Sequence, residues 1–167
     1  EAGRLKKGQE LFVLPERSKT RVIGIKKFLD DDMAEASVGD CVGILVEGGG
    51  LKRGQILADE MKSEITDKIR ANIFWMVDKD YKLGIPLTFK CATQEVKGRI
   101  EKIHSRFDPA SVDVVEKNSS VIKPAEIAEV DIRLDSPVAV DKFSDIPELG
   151  RFVLENAGYP VAGGIII

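Results

Sequence analysis

Short apolar runs that end at turn residues recur along the first part of the chain. They cover residues 11–14, 21–25, 41–46 and 54–58, they are rich in β-branched side chains, and Gly, Pro or Asp lies next to them. This pattern is typical of β-strands. No window of helical length has apolar residues that repeat every 3.6 positions. The pattern therefore predicts an all-β fold.

A second series of runs begins after the polar residues 59–64, which have the composition of a linker. In residues 69–77 every second position is apolar, which predicts a long, largely buried strand with Trp75, the one tryptophan, in the core. Further strands are predicted at residues 87–92, 96–104, 112–116, 127–134 and 151–154. Within 129–134 apolar and charged positions alternate, as in a half-exposed antiparallel strand. We therefore predict two small antiparallel β-barrels, formed by residues 1–65 and 66–167.

The overall charge does not indicate a protein that depends on phosphate contacts, because the net charge is -3. One segment is nevertheless basic: up to residue 27, eight Lys and Arg residues accompany only three Glu residues. Its basic residues form either the solvated faces of a hairpin or a docking patch for an acidic partner or nucleic acid. The candidate partner contacts are Arg4, Lys6, Lys7, Arg17, Lys19 and Arg21.

The two cysteines, Cys41 and Cys91, are far apart and have no CxxC spacing. We predict that both are small buried residues in a reducing compartment. No apolar run reaches 18 residues, which predicts no membrane span, and the first residues lack the apolar core of a signal peptide. These features predict a soluble, cytoplasmic protein.

A search for chemistry finds no catalytic, cofactor-binding or metal site. The glycines at 48–50 lack the Lys-Ser/Thr ending of a phosphate loop, so they are interpreted as a hairpin turn. His104, the one histidine, is interpreted as an ordinary surface or half-buried residue and not as a catalytic base. One His and two scattered Cys exclude the familiar zinc sites. The three aspartates at 30–32 lack the spacing of a calcium loop and are interpreted as a solvated turn.

Five elements of the first half occur in an order that resembles domain 2 of the elongation factor Tu and 1-alpha superfamily. They are Leu-Lys-Lys-Gly-Gln-Glu at 5–10, Val-Leu-Pro at 13–15, Thr-Arg-Val-x-x-Ile at 20–25, Gly-Asp-x-Val-Gly at 39–43 and Lys-Arg-Gly-x-Ile-Leu at 52–57. In this interpretation Gly8 makes the turn before a strand, and Gly39 and Asp40 make a tight turn into a buried strand.

The second half resembles domain 3 of the same superfamily. Ala-Asn-Ile-Phe-Trp-Met at 71–76 is similar to the start of that domain in GTPase subunits of sulfate adenylyltransferase, and residues 126–130, 136–141, 150–154 and 161–166 resemble its later strands. The resemblance implies a GTPase that partners an ATP sulfurylase catalytic subunit and couples GTP hydrolysis to the formation of adenosine 5'-phosphosulfate. The alternative is a GTPase that delivers aminoacyl-tRNA or acts in release, whose domains 2 and 3 contact tRNA or the ribosome.

The resemblance also implies a GTPase domain that binds GTP and Mg²⁺, whose phosphate loop, D-x-x-G and N-K-x-D motifs do not occur in these 167 residues. We therefore expect a non-catalytic piece of a longer protein, which contacts its own GTPase domain and a partner subunit. Domain 2 is expected to be truncated at its start. A truncated barrel would have an unpaired strand edge, with residues 11–14 and 41–46 as the candidates.

Overall fold

A computed structural model describes residues 2–28, 32–60 and 63–167 of the chain. The chain divides into two compact units, Glu1–Ser63 and Glu64–Ile167. Both are built from antiparallel strands, and the described residues include one helix of four residues. The first unit is a half-barrel and the second is a closed barrel, so the predicted all-β fold class is confirmed. Two of the three aspartates interpreted as a turn, Asp30 and Asp31, lie outside the described residues, as do positions 61 and 62 of the polar segment.

The first unit is an open four-stranded sheet with a separate two-stranded ribbon. The sheet has the order β5-β3-β2-β6, and β1 pairs with β4. Leu11, Val22, Ile25 and Ala36 form its buried core. The strands are β1 (Arg4–Lys6), β2 (Glu10–Leu14), β3 (Ser18–Lys26), β4 (Glu35–Ser37), β5 (Gly43–Val46) and β6 (Ile56–Ala58).

This strand order corrects three predictions about the first unit. Strand β2 lies between β3 and β6, so residues 11–14 do not form an unpaired edge, whereas β5 does lie at an end of the sheet. Strands β5 and β6 lie at opposite ends, so the glycines at 48–50 form a connecting loop and not a hairpin turn; all three have positive φ, which glycine favours in either kind of turn. The strand that follows Gly39 and Asp40 is half-exposed and not buried, because it lies at the sheet end.

The second unit is a barrel in which β10, β13, β7, β15, β14 and β9 follow one another and β9 pairs back with β10. Strand β11 adds to one side of β10, and β8 pairs with β12. The elements are β7 (Glu64–Trp75), β8 (Tyr81–Lys82), β9 (Leu87–Cys91), β10 (Gln94–Phe107), β11 (Val114–Lys117), β12 (Val121–Ile122), β13 (Ile127–Val140), α1 (Pro147–Gly150), β14 (Arg151–Asn156) and β15 (Tyr159–Ile166).

Alternation along the long strands explains how the barrel fills its interior. On β7 the side chains of Ile69, Ala71, Ile73 and Trp75 are at most 3% exposed, which confirms the predicted buried strand. Strand β13 repeats the pattern, with buried residues at 128, 130, 132 and 134 and half-buried charged residues between them. Because successive side chains of a strand point to opposite faces, these two strands place one face in the core and the other outside.

Candidate functional site

The inner face of the half-barrel is open as a groove of about 440 Å³. Unlike the interior of the second unit, part of this inner face is only half-buried, as at Val42, Ile44 and Leu57. A volume of this size lies within the range of small-ligand and peptide-anchor sites. The apolar floor of the groove consists of Leu5, Leu11, Ala36, Val42, Ile44 and Leu57.

Two polar side chains on the groove rim, those of Gln9 and Asp40, form hydrogen bonds within the unit. The Oε1 atom of Gln9 accepts the backbone N–H of Lys6 at 2.9 Å. The carboxylate of Asp40 accepts the Lys27 ammonium at 2.7 Å and the Ser37 N–H at 2.9 Å, and these two bonds, that of Lys27 first, lower the pKa of Asp40. The groove therefore has the character of a binding surface for apolar groups, without a facing pair of acid and base.

The structure pairs two of the six predicted contact residues with carboxylates. The Lys7 ammonium lies 2.5 Å from Asp32, and the Lys19 ammonium lies 2.6 Å from Glu10. The bonds from these lysines lower the pKa of both carboxyl groups. The charge of the basic segment is therefore partly neutralised, at Lys7 and Lys19.

The six candidate contact residues are distributed over strands β1 and β3 and the turns that contain Lys7 and Arg17. Arg4 and Lys6 lie on β1, where Lys6 is opposite Glu35 of β4. Lys19 and Arg21 lie on β3, and Arg21 is directly opposite Glu10 of β2. The groove was not predicted from the sequence, because the apolar residues of its floor have the same pattern as those of an ordinary core. The one signal in the sequence was the shortness of the strands of this unit, which limits how much of the core they can cover.

The two cysteines differ in their surroundings. Cys91 is 1% exposed, as predicted, and its thiol donates to the carbonyl of Leu149 at 3.4 Å. Burial raises the pKa of Cys91 to about 11. The prediction that Cys41 is also buried is wrong: Cys41 is exposed, because it precedes β5 on the lip of the groove.

This difference predicts that a single thiol reacts in the folded protein. At pH 8 Cys41 should react with Ellman's reagent within minutes, whereas Cys91 should react only when the second unit unfolds. The reactive species is the thiolate, and burial keeps the Cys91 thiol protonated and out of contact with the reagent. Absorbance at the thiolate product wavelength measures the stoichiometry, and a Cys41→Ser variant should lose the fast phase. Two fast thiols in the native wild-type protein would contradict the burial of Cys91.

A buried polar network lies in the second unit. Arg106, with a side chain only 6% exposed, donates through Nη1 to both carboxylate oxygens of Glu126 at 2.9 and 2.7 Å, and it also bonds Glu116. His104 is half-buried, as predicted, and its Nε2 lies 2.7 Å from Asp131 Oδ2. Arg106 is not singled out by any sequence pattern. Its register partner on β13 is the buried Ala128, and the side chains of register partners lie on the same face of a sheet.

Among residues 2–28, 32–60 and 63–167, no three or more His, Cys, Asp or Glu side chains are grouped so that they could hold a metal ion. Within the same residues, no helix has the length and apolar character to cross a membrane.

Comparison with known proteins gives the following matches. The model of the family "GTP-eEF1A C-terminal domain-like" matches residues 68–167. Elongation factor 1-alpha of Nanoarchaeum equitans is 28% identical over 99% of this chain and 40% of that protein. Sulfate adenylyltransferase subunit 1 of Aeromonas salmonicida is 29% identical over 99% of this chain and 36% of that protein. The structure of sup35 complexed with GDP superposes on the whole chain with a TM-score of 0.91 at 22% identity, over 42% of its own length. The chain thus spans about 40% of the length of the curated relatives it matches.

Proposed function

The chain belongs to the GTP-eEF1A C-terminal domain-like family, and from that membership we propose that it is the C-terminal β-barrel region of a GTPase similar to sulfate adenylyltransferase subunit 1. In this proposal the full protein couples GTP hydrolysis to the formation of adenosine 5'-phosphosulfate. GTP and Mg²⁺ are bound by its GTPase domain, and the β-barrels supply the contacts with that domain and with the ATP sulfurylase catalytic subunit. The protein acts in the cytoplasm.

The observation that favours a protein partner over nucleic acid is the neutralisation of the basic segment. Lys7 and Lys19 are held by Asp32 and Glu10 at 2.5 and 2.6 Å. Phosphate binding draws its free energy from the release of counterions by unpaired Lys and Arg, and a cation that is already paired with a carboxylate contributes less of it. A surface of alternating charges is instead suited to recognition of a protein surface with the complementary alternation.

The alternative function, binding of tRNA or the ribosome, has one observation in its favour. On the outside of the second unit Lys68, Arg133 and Arg99 lie side by side on β7, β13 and β10. Two of these cations are partly neutralised, because Arg133 lies 2.8 Å from Asp67 and Arg99 lies 3.4 Å from Glu101. A phosphate would therefore compete with carboxylates that are already in place.

The test of the proposed function compares the two partner classes directly. We expect an ATP sulfurylase catalytic subunit to bind the chain in isothermal titration, whereas tRNA binds weakly and is released by about 200 mM salt. Reversing two exposed charges of the basic segment, Arg17→Glu with Arg21→Glu, should weaken binding of the catalytic subunit about tenfold. The matched control is Lys52→Glu with Arg53→Glu, which reverses two exposed charges elsewhere in the same unit.

Each outcome bears on one part of the proposal. Tight, salt-sensitive binding of tRNA without binding of the catalytic subunit would replace the proposed function with the alternative. If both charge-reversed variants lost affinity for the catalytic subunit equally, the basic segment would not be part of the interface, and the catalytic subunit would still be the proposed partner.

A further inference from the structure

At one glycine of the second unit neither a positive φ nor a crowded Cβ position requires glycine. The structure describes this unit from end to end, and its glycines are Gly84, Gly98, Gly150, Gly158, Gly163 and Gly164. Gly84 and Gly158 have positive φ. A Cβ atom at Gly98, Gly150 or Gly164 would come within 2.5 Å of other atoms, whereas a Cβ at Gly163 would meet nothing within 4 Å.

Gly163 therefore leaves a notch on the outside of the barrel. Glycine in a strand weakens the strand, and one reason for a glycine there is that a ligand or another chain approaches closely. Gly163 lies on β15 between Phe74 of β7 and Val153 of β14. Their side chains are 40% and 36% exposed, so the notch is bordered by apolar groups that the fold leaves partly uncovered.

The apolar surface extends beyond these three residues. Ile127 of β13 is the register partner of Phe74, on the side away from Gly163. Met76 follows Phe74 at the end of β7 and is 48% exposed, and Ile165 is 36% exposed. We call this surface the Gly163 patch; it consists of Phe74, Met76, Ile127, Val153, Gly163 and Ile165.

Charge beside the patch indicates what binds there. Glu129, two residues beyond Ile127 on β13, is paired with Arg70 at 2.6 Å. Lys90, the register partner of Val153, is paired with Glu155 at 2.8 Å and with Glu95 at 3.5 Å. Arg151, the register partner of Ile165, is exposed and forms no ion pair within the described part of the chain. Of these charged residues Arg151 is thus the one without a carboxylate partner among the residues that the structure describes, and the complement of its guanidinium is a carboxylate.

We propose that the Gly163 patch is a docking site for an amphipathic α-helix of a partner protein, with the apolar face of the helix on Phe74 and Val153 and an acidic residue on Arg151. The four strands β13, β7, β15 and β14 span about 14 Å at a strand spacing of about 4.8 Å. A helix that crosses them needs about ten residues at a rise of 1.5 Å per residue. Anchors at positions i, i+3, i+4 and i+7 would place one apolar side chain in the notch.

This site goes beyond the proposed function, whose test places the contact with the catalytic subunit on the basic residues of the first unit. A second copy of the chain is a less suitable occupant. In a symmetric pair of copies the patch would meet itself, so that Arg151 would face a surface that carries a second Arg151 and not the carboxylate that complements it.

The test uses a synthetic peptide of about 14 residues, with leucines at helical spacing and glutamates beside them. A comparator keeps the leucines and replaces each glutamate with lysine. At 18.3 kDa the chain suits amide NMR spectroscopy. We expect the acidic peptide to shift the resonances of Phe74, Val153 and Gly163 with a dissociation constant in the tens of micromolar, and the basic comparator to bind at least tenfold more weakly.

Variants separate the patch from other surfaces. Gly163→Gln fills the notch without steric conflict inside the barrel and should weaken binding of the acidic peptide at least tenfold. Ser136→Gln adds the same side chain at an exposed position of β13 outside the patch and should leave binding unchanged. Arg151→Ala should remove the preference for the acidic peptide over the basic one.

The inference would be overturned by any of three results. These are no binding of the acidic peptide, resonance shifts confined to the groove of the first unit, or equal binding by wild type and Gly163→Gln. Because the probe is a peptide, these results are independent of whether the ATP sulfurylase catalytic subunit binds.

Discussion

Substitution of Trp75 by alanine is expected to lower the free energy of unfolding of the second unit by about 3–5 kcal/mol. The Trp75 side chain is 3% exposed, and its ring centroid lies 5.3 Å from that of Tyr81. Its Nε1 donates to the carbonyl of Lys79 at 2.7 Å. The alanine variant therefore loses the buried apolar area, leaves a cavity and removes a hydrogen bond from the Lys79 carbonyl.

Chemical denaturation followed by far-ultraviolet circular dichroism measures this effect. The matched control is Phe74→Ala, which removes the neighbouring aromatic ring from the outside of the same strand, where it is 40% exposed. That variant should lose much less stability than Trp75→Ala. An unchanged midpoint for Trp75→Ala would contradict the placement of Trp75 in the core.

Local patterns in the sequence predicted the second unit well because its longest strands each pack one face into a closed interior. At Ile69, Ala71, Ile73 and Trp75 the two-residue period reports burial directly, since the barrel covers the whole inner face. Strands β1, β4, β8 and β12 were missed because each has only two or three residues, too few for a period to be recognised. Strand β15 was anticipated only through resemblance, because its two adjacent glycines interrupt the alternation.

The order of strands could not be predicted, because pairing depends on contacts between residues that are distant in sequence. The position of β2 inside its sheet depends on its pairing with β6, in which Phe12 is opposite Ala58. The same limit explains the wrong prediction for Cys41. A cysteine next to apolar residues is predicted to be buried, but its burial depends on strands that are distant in sequence, and Cys41 is exposed. At the groove and at the Gly163 patch, apolar residues that a sequence pattern would assign to the core are partly exposed.

Arg106 is the second residue whose loss should be severe. In Arg106→Met, Glu126 keeps its bond from the Lys123 N–H at 3.0 Å but loses its cation, although its side chain is only 14% exposed. Removing one member of a buried ion pair leaves an uncompensated charge, and we expect the free energy of unfolding to fall by about 3 kcal/mol. In the double variant Arg106→Met with Glu126→Leu the loss should be smaller than in the single variant, because the charge is removed with its partner.

A surface ion pair provides the matched control for this prediction. Arg70 bonds Glu129 with a side chain that is 50% exposed, so Arg70→Met should cost far less than Arg106→Met. Equal losses for the two variants, or a double variant less stable than Arg106→Met alone, would show that the buried pair is not the source of the effect.

The pH dependence of stability tests the same network through Glu116. The hydrogen bond from Arg106, and secondly that from Ser119, lower the pKa of Glu116 in the folded protein. A carboxyl group with a lowered folded pKa stabilises the protein above its unfolded pKa of about 4.3, and this contribution is lost as the pH falls through the folded pKa. Wild type should therefore lose stability between about pH 5 and pH 3 more steeply than Arg106→Met, in which Glu116 titrates nearer its ordinary value. Denaturation midpoints measured across this range give the two slopes, and parallel slopes would contradict the coupling of Glu116 to Arg106.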